Sequence, residues 1–506
     1  MSKTEIAIAI AVTALFALAA TIVLSCENAD STFESDGSDT DADSDGDTDA
    51  DSDSDSDSDA DTSTNPADDN DNDGLSNGFE EENGTDPNDE DSDDDGVSDL
   101  IEWVAGTDPL DPDSNPGAEG NFYFVEPYMQ DPDPPEDTLV FSTELKKADL
   151  FIMMDTTGSM GSAITNLKND MSSIIIPEVA AVVPDIWFAV GRFDDYPYGS
   201  YGYGTDVPFA LLQRTTDDPV TAQNAVNMLS TNSGGDMEES HVPALWATAT
   251  GDALGTYVPA QTECEPDEIG YPCFRDGAVP IILMVTDAPF HNAYGDYMPY
   301  VGITPEPPDW GEAVVALNDI HAKVPSVWVD YGWSTTVLDH CNQMAWDTGT
   351  QDSFGDPLVF SVDSTGSGLG DQVVEAITML ASDVPFSSID AEPRDDTSDS
   401  VDATIFIDHI EPNLEGGVED PLNPGQICVG GLPTADDNDD DVPDKFIDVL
   451  PGTPVCFDIY PAMNETVEET AEPQVFLAYI DVLGDAFTVL DTREVYFLVP
   501  PSTPLE

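Results

Sequence analysis

Between residues 27 and 67 the chain is little more than alternating Ser and Asp, and this run limits everything around it. A segment with almost no apolar side chains cannot offset the conformational entropy of folding, and its like charges hold it extended. Roughly 40 residues at full extension reach about 130 Å. A core must therefore be built elsewhere. The run suits a solvated spacer that carries a domain away from a surface, with weak cation binding as a second use. The acid excess continues past it: 105 Asp and Glu face 11 Lys and Arg over 506 residues, a formal net charge of -94. Nucleic acid and anionic lipid reward basic patches, so they are excluded as partners. Multivalent cations are favoured, because they prefer carboxylate oxygen. A high-salt habitat would select the same surface. The length allows roughly two to four domains.

The N-terminus reads as a targeting signal. Lys3 precedes an apolar run from Ile6 to Leu24, which ends in Val23-Leu24-Ser25-Cys26. A small residue before Cys after such a run resembles a bacterial lipobox. The segment 1–26 is then a lipoprotein signal, and cleavage before Cys26 would leave Cys26 as the lipidated first residue. The competing reading is an uncleaved membrane helix, since the run approaches spanning length. Both put the remainder outside the cytoplasm, with lipid anchoring to the cell envelope, at the outer membrane or cell surface, as the expectation. Five cysteines remain in an oxidising compartment. Cys264 with Cys273 would close a short loop, Cys428 with Cys456 would join two strands, and Cys341 would stay a buried thiol.

Residues 68–116 change character. Asp69, Asp71, Asp73, Gly74, Asn77 and Glu80 stand at positions 1, 3, 5, 6, 9 and 12 of a calcium loop. Asp91, Asp93, Asp95, Gly96, Asp99 and Glu102 repeat the spacing 22 residues later. Alternate carboxylates converge on one ion, Gly permits the sharp turn, and the twelfth residue closes the shell. Each loop is followed by Gly-Thr-Asp-Pro. Without long helical flanks, these are not a full EF-hand pair. The segment resembles bacterial thrombospondin type 3 repeats, which implies a calcium-stiffened rod with little core of its own. Residues 117–145, rich in Pro, are expected to be an irregular connector.

From Ala148 the pattern becomes globular. Leu150 to Met154, Trp187 to Gly191, Pro280 to Val285, Val327 to Val329 and Leu358 to Val362 read as buried strands. Met160 to Ile175, Val242 to Ala249, Ala313 to Lys323 and Gln372 to Leu380 keep helical spacing. The alternation predicts an α/β domain over 146–386 with a doubly wound, mostly parallel sheet. Beyond residue 387 helical periodicity fades. Ala403 to Ile407, Val455 to Ile459, Gln474 to Ile480 and Glu494 to Val499 are strand-like, and 387–506 is expected to be a small β-sandwich. The acidic run 436–444 lacks a turn Gly and reads as a solvated loop.

Open α/β sheets bind ligands outside the carboxyl ends of their strands. The first strand ends in Asp155-Thr156-Thr157-Gly158-Ser159, whose carboxylate and two hydroxyls alternate. A later strand runs into Thr286-Asp287, and a glycine turn, Gly234-Gly235-Asp236-Met237-Glu238-Glu239, lies between them in sequence. The D-x-T-x-S string at 155–159 resembles the metal-ion-dependent adhesion site of von Willebrand factor A domains, which normally reads D-x-S-x-S. The integrin β-chain version is closer, with Glu239 and Asp287 at its loop carboxylate and strand-end Asp. The resemblance covers roughly 146–386. It implies a von Willebrand factor A, Rossmann-like fold with Mg²⁺ or Ca²⁺ held by Asp155, Thr157, Ser159, Glu239 and Asp287. It also implies an open position filled by a carboxylate from a partner protein. Phe193-Asp194-Asp195-Tyr196-Pro197 resembles the stretch feeding a neighbouring calcium site, with Asp195 and Asp236 as its carboxylates. Gly234 stands where that site has Asn, and Glu238 where it has Pro.

Three other readings compete with an adhesion or protein-binding module. Thr157-Gly158-Ser159-Met160-Gly161 approaches the G-x-S-x-G elbow of serine hydrolases, with His241 or His291 as base, but Thr157 occupies a position that needs Gly. Ser159 could instead be a helix N-cap. An A domain could also be a scaffold in an envelope assembly. The expected outcome is a binding protein without catalysis. Tyr196, Tyr198, Tyr201 and Tyr203 form an aromatic loop suited to an adaptable surface, or to plain exposure.

Overall fold

The computed structural model describes residues 66, 68–332, 335–437 and 442–502. The apolar leader, Cys26 and nearly all of the Ser-Asp run lie outside the described residues, as does the middle of the acidic stretch 436–444. Among the described residues no helix is long and apolar enough to cross a membrane.

Each Asp loop opens into a seven-residue helix, α1 (Asn77–Asn83) and α2 (Asp99–Ala105). Ser76 and Ser98 cap them by accepting from the Phe79 and Ile101 backbone N–H groups. Gly74 and Gly96 make the sharp turns with φ of 103° and 99°, a region that costs a side-chain-bearing residue heavily. Helices this short do not stand alone in water. α2 is held by packing: Val97 and Ile101 are buried against Tyr496 and Leu498 of the C-terminal strands. The second repeat is therefore docked on a sheet, where a rod with little core had been expected.

The segment 117–145 is not an irregular connector. It contains β1 (Phe122–Val125) and β2 (Asp137–Phe141). Both belong to the C-terminal β-structure, and the strands they pair with there are more than 300 residues away in sequence. With Pro-rich flanks and four or five residues each, nothing local announced them.

The α/β part follows. β3 (Lys147–Asp155) leads through a 3-10 turn at Gly158–Met160 into α3 (Gly161–Asp170) and α4 (Ile176–Val182), joined by a π turn at Met171–Ile175. Then come β4 (Asp185–Phe193), β5 (Ala210–Thr216), α5 (Pro219–Met228), α6 (His241–Thr250), β6 (Val279–Thr286), α7 (Trp310–Asp319), β7 (Ser326–Asp330), α8 (Thr336–Asp347), β8 (Val359–Asp363) and α9 (Leu369–Ser382). The sheet order is β5-β4-β3-β6-β7-β8, parallel throughout except for the antiparallel edge strand β5. β3 alternates its side chains between two cores. Leu150, Ile152 and Met154 face α3, α4 and α9, while Phe151 and Met153 face α6 and α7. Burial on both faces explains why its sequence is an unbroken apolar run. The chain leaves β3 in one direction for β4 and returns on its other side as β6, so β3 and β6 flank a topological switch point.

The last strands are β9 (Ile389–Asp395), β10 (Ile407–Pro412), β11 (Thr434–Ala435), β12 (Lys445–Phe446), β13 (Val455–Pro461), β14 (Gln474–Gly484) and β15 (Thr488–Val499). They form a six-stranded sheet, β1-β15-β14-β9-β12-β11, facing a three-stranded sheet, β10-β13-β2. Phe122, Phe124, Phe141, Phe446, Phe457 and Phe497 fill the space between. The stretch expected as a strand at 403–407 is instead a 3-10 turn over Ala403–Phe406, because the Asp402 side chain accepts from the Thr404 N–H and holds the turn. Cys264 is bonded to Cys273 and Cys428 to Cys456, and Cys341 is a buried thiol.

Candidate metal centre

The switch point gathers the acids. Asp155 ends β3 with no exposed surface. Its Oδ1 accepts from the Thr157 N–H at 2.9 Å and the Thr157 hydroxyl at 2.8 Å, and its Oδ2 from the Thr286 hydroxyl at 2.8 Å. Asp287 follows the end of β6 and lines the same cleft as Ser159. Ser159 lies inside the 3-10 turn and is exposed, and no side chain caps that turn, so it is not an N-cap. Glu239 is buried, and its Oε2 has no hydrogen-bond partner. Its backbone is pinned beside the loop after β6, with N–H donating to the Pro289 carbonyl at 2.9 Å. Gly234 lets it come close: a Cβ there would sit 2.7 Å from Glu239 Oε1 and at a φ of +66°. Thr157, Ser159, Glu239 and Asp287 line a cleft of about 260 Å³, with Asp155 behind it.

Burial and mutual repulsion hold these carboxyls above their ordinary range. Desolvation raises Asp155, and the Asp287 charge adds to it. Desolvation likewise raises Asp287. Glu239 lies well above its usual value through burial first and the Asp155 charge second. Buried acids that raise one another, with one oxygen unbonded and only oxygen donors present, fit a hard divalent cation.

His241 has partners other than Ser159. His241 is wholly buried, stacks on Phe290 at 3.9 Å, and bonds Thr286 through Nε2 at 2.7 Å. Its Nδ1 faces the Glu239 carbonyl at 3.2 Å, so the ring is held by these two partners and stands behind the Asp155 carboxylate.

A second group lies nearby. Asp195, Asp236 and His291 each offer an atom within 4.8 Å of the others. The sequence points to Asp195 and Asp236, while its only role for His291 is that of a hydrolase base. Asp194, beside Asp195, binds the loops together by accepting from Arg192, Asn232 and Thr156. The aromatic loop is half structural. Tyr196 is buried against Tyr257 and Tyr300, and Tyr201 packs on Tyr300, while Tyr198 and Tyr203 are exposed.

In the repeats, the carboxylates of Asp69, Asp71 and Asp73 converge, as do those of Asp91, Asp93 and Asp95. Glu80 and Glu102 are fully buried and close the loops from α1 and α2. Both oxygens of Glu80, and one each of Asp71, Asp73, Asp93 and Glu102, have no hydrogen-bond partner. Such orphaned oxygens fit a calcium shell. The ninth positions behave differently from direct ligands. Asn77 Oδ1 accepts from the Asn70 N–H at 3.1 Å, and Asp99 accepts from the Ser92 N–H at 2.9 Å and hydroxyl at 2.7 Å. They tie the loops shut, in keeping with a ninth ligand that acts through water.

The family comparison agrees with this geometry. The bacterial TSP3 repeat matches twice, at residues 69–90 and 91–112. These residues are calcium-binding repeats of the kind found in extracellular proteins. No curated protein matches the chain. The rest is defined by its own architecture: a mixed α/β unit with a parallel central sheet, carrying acidic clusters able to hold metal.

Proposed function

We propose that this chain is a cell-surface lipoprotein that binds a partner protein through a metal ion in a von Willebrand factor A-type domain. One observation carries the reading. Three loops far apart in sequence bring Asp155, Thr157, Ser159, Glu239 and Asp287 to the β3/β6 switch point, and the Glu239 Oε2 there is buried without a bond. These five side chains would hold Mg²⁺ or Ca²⁺, directly or through water. When bound, the ion supplies a positive focus on an acidic surface and accepts a carboxylate from the partner. The chain's part is to fix the geometry. Thr286 and Thr157 orient Asp155, His241 supports Thr286, and Ser159 at the exposed mouth keeps one side open. His241 is committed to Thr286, which favours this reading over a serine hydrolase that would use it as base. The leader ending at Cys26 supports lipid anchoring to the envelope, and the Ser-Asp run with the calcium repeats supports a spacer.

The test is partner capture from isolated envelopes in Mg²⁺ or EDTA, with wild type and Ser159→Ala. Binding should require the ion and weaken in Ser159→Ala. A hydrolase would instead lose turnover and keep substrate binding. Full-strength binding in EDTA and in Ser159→Ala would reject the proposal.

A further inference from the structure

Beside the cleft, which Asp236 also lines, Asp195 after β4, Asp236 in the glycine turn and His291 after β6 point at one another. His291 Nε2 lies 3.4 Å from Asp236 Oδ1 and 3.6 Å from Asp195 Oδ2. Where the imidazole keeps its hydrogen follows from its other side. Nδ1 sits 2.6 Å from the Met298 carbonyl oxygen, which can only accept, so Nδ1 carries the hydrogen. In the neutral ring Nε2 is then bare, with its lone pair turned toward two carboxylates. That arrangement is repulsive unless a cation stands between them; with a second ring proton the same contacts are a hydrogen bond to Asp236 and an ion pair to Asp195.

Asp195 supplies an independent sign. Its Oδ1 accepts from the Tyr300 hydroxyl and, at 2.6 Å, from the Tyr196 N–H. Its Oδ2 faces His291 from a side chain with no exposed surface and makes no hydrogen bond. The surroundings also match a metal-ligating histidine, which typically donates its second ring N–H to a carbonyl or carboxylate. Tyr300 and Tyr201 rings, centred 4.4 Å and 5.1 Å away, fix the imidazole plane. A tetrahedral ion with ligands at about 2.0–2.1 Å sets ligand-to-ligand distances of about 3.3–3.4 Å. The separations of 3.4 Å and 3.6 Å need only a small contraction to meet that.

We propose that Asp195, Asp236 and His291 form a site for a borderline transition-metal ion of the zinc class, with a fourth position for water beside the partly exposed Asp236. Imidazole nitrogen suits such ions, whereas Ca²⁺ and Mg²⁺ are bound by oxygen. The neighbouring calcium site implied by resemblance is therefore replaced here by one of different chemistry. Gly234 offers it no side chain, and His291 offers nitrogen. The proposal does not depend on the adhesion reading, since no residue is shared with the five at the cleft.

The experiment strips the full-length protein of metal, saturates it with Ca²⁺ to fill the oxygen sites, and titrates Zn²⁺ against a chromophoric chelator. Co²⁺ as a spectroscopic substitute reports the ligands by visible and X-ray absorption. Wild type and Asp155→Ala should both take up one Zn²⁺ or Co²⁺ in excess Ca²⁺, with an imidazole ligand in the absorption fine structure. His291→Gln should weaken Zn²⁺ by about tenfold or more and lose the imidazole signature. Asp236→Asn, at the more exposed ligand, should also weaken it, and serves if His291→Gln fails to fold by circular dichroism. No uptake in excess Ca²⁺, or unchanged affinity and spectrum in a folded His291→Gln, would overturn the proposal. So would a doubly protonated His291 by nitrogen NMR with no ion taken up, the mark of an imidazolium bridging the two acids.

Discussion

Glu126, just after β1, is a buried acid outside the metal clusters. It has no exposed surface, and neither carboxylate oxygen has a hydrogen-bond partner. Burial alone pushes its carboxyl up to about 8. The linkage has a definite sign. The folded chain holds the Glu126 proton to about pH 8, whereas the unfolded chain releases it near the ordinary carboxylate value. Between those values the folded state binds more protons, so this residue makes stability fall as pH rises, with the loss complete above about pH 8. Glu126→Gln keeps the shape and removes the charge. Thermal melts of the two proteins should coincide at pH 4 and separate toward pH 9, with the variant more stable. Parallel curves would show that Glu126 finds a partner or solvent. Arg275 illustrates the opposite case. Its guanidinium meets the buried Asp149 at 2.7 Å and also bonds Asp185, and it stacks on Trp187. Those contacts oppose a desolvation that still holds Asp149 above its ordinary range.

At the scale of elements, the helix α2 joins calcium to packing. Ile101 and Glu102 are neighbours on one turn but face opposite ways. Ile101 enters the cluster with Tyr496 and Leu498, and Glu102 closes the loop of Asp91, Asp93 and Asp95. Asn115 adds a bond to Asp95 Oδ2 at 2.7 Å. Without a cation the loop carboxylates repel one another, and the helix they position has only a small apolar contact to hold it. EDTA should therefore raise hydrogen exchange in residues 77–105 and on the outer face of β15, and Ca²⁺ should restore protection. Ile101→Ala should cost this docking about 2–5 kcal/mol while leaving the α/β sheet protected. Exchange that is indifferent to EDTA would mean that the repeats hold their place without calcium.

Over the whole molecule, the parts legible in sequence are those whose signals are local. β3 and β6 read as strands because burial on both faces makes them continuous runs, and the calcium loops because their ligands fall within twelve residues. What stayed hidden depended on distant partners. β1 and β2 lie in a Pro-rich stretch, and their partners β15 and β13 are hundreds of residues away. The edge strand β5 has no strong periodicity, being only half-buried. At the site, Asp155, Glu239 and Asp287 could be proposed from strand-end position and resemblance. The part of His291 could not, because it depends on the Met298 carbonyl and on the approach of the Asp195 loop.

On the proposed function, the β3/β6 switch point holds a divalent ion with oxygen ligands alone. Isothermal titration of the metal-free full-length protein with Mg²⁺ tests it most directly, comparing wild type with Asp155→Ala and Glu239→Gln, each checked for a retained fold by circular dichroism. Wild type should show one Mg²⁺ site that is lost in both variants, while both still take up Ca²⁺ at the two repeats. A Mg²⁺ isotherm unchanged in Asp155→Ala, or no Mg²⁺ binding by wild type at all, would contradict it.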